Sequence, residues 1–171
     1  MYVDLGLAIL RVVVGGVVMA HGLQKLGYLG GGGQPMTVGM MQKLSIRPEP
    51  FWAAVVAAAE TGGGALMVLG FLGPFGPWVV IADMIVAAAT VHWPNGFWNQ
   101  KGGIEFPLLV ATAALAVSLI GVGRWSVDAL LGLSVPGLIV QGWIALMIVG
   151  AVLALTSRMI EEEHPGTTAS S

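Results

Sequence analysis

Leu5-Gly-Leu-Ala-Ile-Leu-Arg11-Val-Val-Val-Gly15-Gly-Val-Val-Met-Ala-His21-Gly-Leu23 is an unbroken apolar run that carries one cation, Arg11, in its interior. A hydrocarbon layer about 30 Å thick takes about 20 apolar residues at about 1.5 Å rise each, so the run reads as a membrane-spanning helix. Four further runs, at about 51–72, 77–92, 104–122 and 135–155, repeat the pattern and predict five spans in all. The composition agrees: 56% of the residues are hydrophobic and 9% charged, with a mean hydropathy of +0.86, where a soluble domain carries roughly 25% charged residues. Seven basic and nine acidic residues cannot coat a water-soluble surface for a chain of 171 residues, which excludes a soluble enzyme.

The connections order the spans. Gly73-Pro-Phe-Gly-Pro77 forces a tight reversal between spans two and three, hence an antiparallel pair. The longest connection, 27–50, opens with Gly30-Gly-Gly-Gly33 and carries Met36, Met40, Met41 and Leu44 at the spacing of a short interfacial helix. No Gly-Lys-Ser/Thr follows the glycines, so they read as a linker and not a phosphate loop. Met1-Tyr-Val-Asp-Leu5 lacks a basic segment, and the first span therefore reads as retained, not cleaved. Lys25, Lys43, Arg47, Lys101 and Arg158 fall on one side of five spans and Arg124 on the other, which predicts an outside N-terminus and a cytoplasmic C-terminus. The end of the chain, 158–171, is polar and reads as a disordered tail, Glu161 and His164 included.

Several function classes drop out. A net charge of −2 and a pI near 5.8 leave no basic stripe for nucleic acid. Without cysteine there are no disulfides, thiolate chemistry, iron–sulfur clusters or c-type haem, so redox work needs a diffusible carrier or partner subunits. Three histidines are too few for a di-haem centre or a di-iron carboxylate bundle. His21, His92 and Glu105 could hold one metal ion, but a lone histidine among apolar neighbours is more often hydrogen-bonded, and we assign no metal. No complete catalytic constellation is present, which leaves enzymatic activity open.

Ionisable groups inside spans are costly unless they face the bundle and find partners, so each marks a candidate site. Arg11, Glu60 and Asp83 qualify; counted at about 1.5 Å per residue, Glu60 and Asp83 lie roughly 13 Å from the cytoplasmic surface and Arg11 a few residues deeper. We expect an ion-paired core of these three, serving either as a clamp between helices or as a polar anchor for a carbonyl, hydroxyl or proton. Gly15 and Gly22 share the Arg11 and Lys25 face of span one, a notched stripe that can meet the bundle. A second polar group gathers at the cytoplasmic helix ends: His21, Lys25, His92, Lys101 and Glu105. His92 leads into Trp93-Pro-Asn-Gly-Phe-Trp98, where Trp93 and Trp98 fit either an aromatic belt at the headgroups or the wall of a pocket for a flat amphipathic ring. Ser126 or Asp128 stands where a cap for a short surface helix, or a turn, would be needed.

Taken in order, Arg11-x3-Gly15, His21-Gly-x2-Lys25, Glu60-x-Gly-Gly with Leu66-x3-Gly70, His92-x-Pro-Asn-Gly-Phe97, Gly103-x-Glu105 and Gly121-x-Gly-Arg-x-Ser-x-Asp128 resemble the DoxX family of small bacterial membrane proteins. The resemblance implies an all-α, four-helix membrane bundle over 1–128, here followed by an additional transmembrane helix over 129–157. It also implies a bacterial plasma-membrane protein associated with quinone- or quinol-linked electron transfer, with Arg11, Lys25, Glu60, His92, Glu105 and Asp128 as its polar marks. Asp83 is not among them. On this reading His21, Lys25, His92, Trp93, Trp98 and Glu105 are the candidate residues for a quinone or lipid headgroup, and no cofactor is covalently held. The alternative is a non-catalytic accessory subunit of a larger respiratory or photosynthetic complex, docking through span five and the Met-rich connection. A small transporter ranks last, because no pair of broken helices repeats along the chain.

Overall fold

The computed structural model describes residues 2–158, and the polar tail expected beyond them, with Glu161 to His164, lies outside the described residues. The described chain is helical: α1 (Tyr2–Lys25), α2 (Gly33–Lys43), α3 (Glu49–Leu69), α4 (Phe75–Ala87), α5 (Glu105–Ile120), α6 (Val127–Leu131) and α7 (Gly137–Thr156). Four helices are long and apolar enough to cross a membrane: α1, α3, the continuous segment Phe75–Asn95 and α7. α5 has 16 residues, so at about 1.5 Å each it reaches only about 24 Å. The shortest apolar run in the sequence, 77–92, thus belongs to a segment of 21 residues, and the short helix is α5, in the fourth run. α4 is extended because its last turn widens into a π-turn, Ala88–His92, and then tightens through Trp93–Asn95, carrying His92 forward without a break.

Glycine sets how closely the helices approach. α1 and α3 run antiparallel, and a Cβ on Gly64 would lie 2.6 Å from the Gly15 carbonyl oxygen and from Met19 N, so only a bare backbone fits. On α1 the buried positions are Leu7, Arg11, Gly15, Val18 and Gly22, the notched face expected from their spacing. α4 meets α3 in the same way through Gly76, whose Cβ would lie 2.8 Å from the Gly63 carbonyl oxygen. Small residues at crossings let helix backbones gain packing contacts that lipid cannot replace. The core proper is Val18, Met67, Val80, Ile81, Met84, Val110, Ala114 and Val117, contributed by α1, α3, α4 and α5. α2, the short helix that the methionine spacing predicted, packs on α3 around Met41, Ile46 and Ala53.

α7 packs mainly on α4. It is tied there by Trp143, whose Nε1 donates to the Phe75 carbonyl at 3.2 Å and whose ring stacks on Phe75 at 4.6 Å. Of its residues only Ala154 is buried. The helix directions put Lys25, α2, the start of α3, the end of α4 and the start of α5 at one end of the bundle, here the Lys25 end. The start of α1, the α3–α4 turn and α6 form the other, the Arg11 end.

Candidate functional site

The ion-paired core expected around Arg11 is not formed. Gly15 and Met19 against Gly64, and Gly22 against Glu60 and Thr61, set the antiparallel α1–α3 register. Glu60 thus lies beside Gly22, eleven residues of rise or about 16 Å from the level of Arg11. Arg11 instead donates from Nη1 to the carbonyls of Met67 and Val68, both at 3.2 Å, and from Nη2 to the Trp125 carbonyl at 2.5 Å. It is 1% exposed. Gly70, at φ +61°, closes α3 beside this guanidinium, and any side chain there would strike it.

Asp128 completes that end. Its two carboxylate oxygens accept from Leu72 N at 2.9 Å and Gly73 N at 2.6 Å, which pins the α3–α4 reversal. Ser126 caps α6, accepting from Ala129 N at 3.2 Å. These polar groups at the Arg11 end bind backbone, and their work is to hold elements together.

The Lys25 end is built differently. Lys25 Nζ lies 2.5 Å from Glu60 Oε2, with side chains 16% and 8% exposed. Asp83, within electrostatic reach of both, has its Oδ2 enclosed with no hydrogen-bond partner among the described residues. These groups open onto a cavity of about 740 Å³ walled by every helix except α6. His21, Lys25, Glu60, Asp83, Thr90, His92 and Asn99 supply its polar lining, and residues such as Val18, Met84 and Phe106 the apolar remainder. The volume lies within the roughly 300–1,000 Å³ of small-molecule pockets. Four wall residues, Met40, Met41, Met84 and Met147, have flexible thioether side chains that adapt to irregular apolar surfaces.

Each sequence candidate has a definite place. His21, Lys25 and His92 line the cavity, joined by Glu60 and Asp83 from the expected ion-paired core. His21 stands at the mouth, exposed, with its ring 5.9 Å from that of Phe106. His92 Nδ1 lies 2.7 Å from the Gly102 carbonyl oxygen, which can only accept; Nδ1 therefore carries the hydrogen, and in the neutral ring Nε2 is an acceptor. Trp93 and Trp98 are not in the wall; at 70% and 62% exposed they stand on the surface beyond the end of α4. Glu105 is not in the wall either, because its Oε2 accepts from Asn99 N at 2.8 Å and so shapes the loop before α5. Lys101 sits on the surface of that loop. Among the described residues no group of three or more histidine, cysteine or acidic side chains could hold a metal ion.

The sequence reading missed the contribution of α7, whose Met147, Gly150, Ala151 and Ala154 close one side of the cavity. Nothing local distinguishes these residues from lipid-facing ones, apart from the small side chains at 150 and 151.

No curated protein and no solved structure matches the chain at a significant level. A family model does, over residues 6–93, which is 88 of 171 residues and takes in α1 to α4 as far as His92. Glu105 and Asp128 lie beyond that match, so on them the resemblance rests on the short motifs alone. With Arg11, its glycine-notched helices and its Lys25–Glu60 pair all on the matched segment, this multi-pass membrane protein belongs to the DoxX family.

Proposed function

We propose that the protein is a membrane subunit of quinone- or quinol-linked electron transfer that binds the ring of an isoprenoid-type carrier in the cavity at its Lys25 end. The observation that carries the reading is the cavity itself: about 740 Å³ of mostly apolar wall with its polar groups clustered around Lys25, Glu60, Asp83 and His92. A flat ring with two polar oxygens and an apolar tail has that same division of character. His92, held by Gly102 in one tautomer, supplies a titratable nitrogen on the wall for passing protons. Electrons would come from partner subunits. The orientation that accompanies this reading puts Lys25, Lys43, Arg47 and Lys101 on the cytoplasmic side of a bacterial plasma membrane.

The test is gentle purification from native membrane, with mass spectrometry of both extracted quinones and co-purifying proteins. Stoichiometric quinone that falls severalfold in His92→Leu, and is retained in Glu105→Gln, supports the reading. Full retention in both variants, or no quinone in the wild type, refutes it.

The accessory-subunit reading is favoured by one observation, the outward face of α7, where Leu138, Ile139, Leu146, Val149 and Leu153 are exposed. Deleting α7 would not separate the readings, because the same helix walls the cavity. Leu146→Phe with Val149→Phe enlarges only the outer face. Release of partner proteins with bound quinone unchanged would show that this face docks a subunit.

A further inference from the structure

The cavity changes character with depth. His21, Lys25, His92 and Asn99 line it toward the Lys25 end, and farther in the wall turns mostly apolar along α3, α4 and α7. Val79, Ala82, Asp83 and Val86 stand at i, i+3, i+4 and i+7 and form one stripe of α4. Val79 reaches Gly63 of α3, while Phe75, one turn before it, stacks on Trp143 of α7, so the stripe runs between those two helices. Met147, Gly150, Ala151 and Ala154 repeat the spacing on α7, and Val55 and Ala59 stand on the facing side of α3.

The neighbouring seams are closed. A Cβ on Gly22 would strike Thr61 N, and one on Gly76 would lie 2.8 Å from the Gly63 carbonyl oxygen, which seals α1 to α3 and α3 to α4; α4 and α5 share the packed core. α3 and α7, by contrast, both pack on α4 but hardly on each other. The result is a groove floored by α4, about 10 Å long from Val86 to Val79, stopped at one end by the Phe75–Trp143 stack and open sideways past Val55, which is 37% exposed. Gly150 differs from the glycines at the helix crossings, because a Cβ there would meet nothing within 4 Å. Its bare backbone widens the groove and brings no helix closer.

A groove of this character inside a bilayer is filled by hydrocarbon, since no water is there to fill it. Its depth argues for whose. Val86 lies nine residues, about 13 Å, from the Asn95 end of its segment, and the groove runs on past the middle of a hydrocarbon layer about 30 Å thick. A phospholipid keeps its headgroup at the boundary, whereas the cavity carries polar groups down to Glu60 and Asp83, at the head of the groove. A small polar ring with a chain attached fills both parts.

Resting on the quinone-site reading, we propose that the groove between α3 and α7 holds the isoprenoid or alkyl chain of the ring bound in the cavity, with Gly150 and Ala151 setting its width. α7 is then part of the binding site, although the family match ends before it.

The test uses the full-length protein in lipid nanodiscs and an alkylbenzoquinone whose decyl chain carries a photoactivatable diazirine at mid-length, with adducts located by peptide mass spectrometry. Expected are adducts on α3 and α7 at Val55, Ala59, Met147 or Ala151 that excess unlabelled decylbenzoquinone suppresses severalfold. Suppressible adducts confined to α1, α2 or α5 overturn the proposal and leave the quinone site standing. Suppressible adducts nowhere, with the groove marked equally by a phosphatidylcholine carrying the same diazirine, show that bilayer lipid fills it and overturn the quinone site as well. Gly150→Leu adds a side chain where there is room for one; it should weaken decylbenzoquinone about tenfold, an overpacking cost in its lower range, and the chainless trimethylbenzoquinone by less than about threefold. Equal losses for the two ligands, or none for either, in the folded variant overturn the proposal. Labelling of the wild type needs no variant, so misfolding of Gly150→Leu would not spare it.

Discussion

Replacing Lys25 by Met, Glu60 by Gln, and then both, separates what the pair does for stability from what it does for a ligand. The side chains meet at 2.5 Å and are 16% and 8% exposed, so the pair lies at the wet margin of a protein interior and not on the surface. Removing one partner of a buried pair costs about 3–5 kcal/mol, chiefly because the survivor stays buried without its counter-charge. Here the Lys25 side chain keeps 16% exposure, which places Lys25→Met at the lower end, about 3 kcal/mol. The loss is aggravated by Asp83, a second acidic group within electrostatic reach of Glu60. Glu60→Gln leaves an ammonium on a long chain that can turn toward the boundary, and should cost about 1–2 kcal/mol. The double variant leaves neither charge orphaned and should return to within about 1 kcal/mol of the wild type. Unfolding free energies from steric trapping in bicelles give all four corners of the cycle. Strict additivity, with Lys25→Met costing under about 1 kcal/mol, would refute the argument, because it would mean the pair is not enclosed. A double variant that is stable and still binds ligand as the wild type does would show that the pair is a clamp and nothing more.

Three further outcomes follow from the packing. Gly64→Ala should destabilise by about 1–3 kcal/mol, because its Cβ would lie 2.6 Å from the Gly15 carbonyl oxygen, whereas Gly62→Ala, with nothing within 4 Å, should be neutral or stabilising by up to about 1 kcal/mol; equal melting temperatures in detergent would contradict the register. Asp128→Asn gives up one of two charge-assisted acceptors for Leu72 N and Gly73 N and should cost about 1–2 kcal/mol, read as faster protease cleavage in the α3–α4 turn. Trp143→Leu removes both the Phe75 hydrogen bond and the stacked ring, and should loosen α7 by about 2 kcal/mol, measured as a wider distance distribution between spin labels on α4 and α7; an unchanged distribution would show that α7 is held elsewhere.

What could be read ahead of the structure, and what could not, divides by range. The spans are local: each is a run of apolar residues long enough for the bilayer, and the runs at 5–23 and 51–72 lie within α1 and across α3 and its cap. The notched face of α1 is also local, because residues 11, 15 and 22 share a direction at 100° per residue. The reversal at 73–77 follows from proline and glycine chemistry. The partner of Arg11 is another matter. Its depth is legible from one helix at a time, but its neighbour is chosen by how α1 slides on α3, and a slide of about three turns would be needed to bring Glu60 beside it. The Gly15–Gly64 and Gly22–Thr61 approaches fix that slide, and no periodicity within one helix reveals which residues meet. The same holds for Asp128, which binds amides 55 and 56 residues earlier in the chain, and for Glu105, whose carboxylate is turned back on its own loop.

The two ends of the bundle settle which of its buried charges point to a ligand. A charge in a membrane protein needs partners, and backbone groups are the partners that fold and charge can supply to each other. At the Arg11 end they do so: three carbonyls surround a guanidinium, and two amides meet a carboxylate. Arg11 Nε is left without a partner among the described residues, but five backbone groups hold the two charges, so substituting them should change stability more than binding. At the Lys25 end one cation stands among two carboxylates, one carboxylate oxygen has no donor, and the cavity beside them is large enough for a ring. Packing alone gives no reason to keep Asp83 there, since an apolar residue of similar size would spare the cost of an enclosed, unpaired oxygen. The cost is explained if Asp83 serves a ligand that enters the cavity. Asp83→Asn should therefore leave the protein as stable as the wild type, or more so, while weakening its hold on the proposed ligand; a variant that is both less stable and unaltered in binding would place Asp83 with Arg11, among the residues that serve the fold.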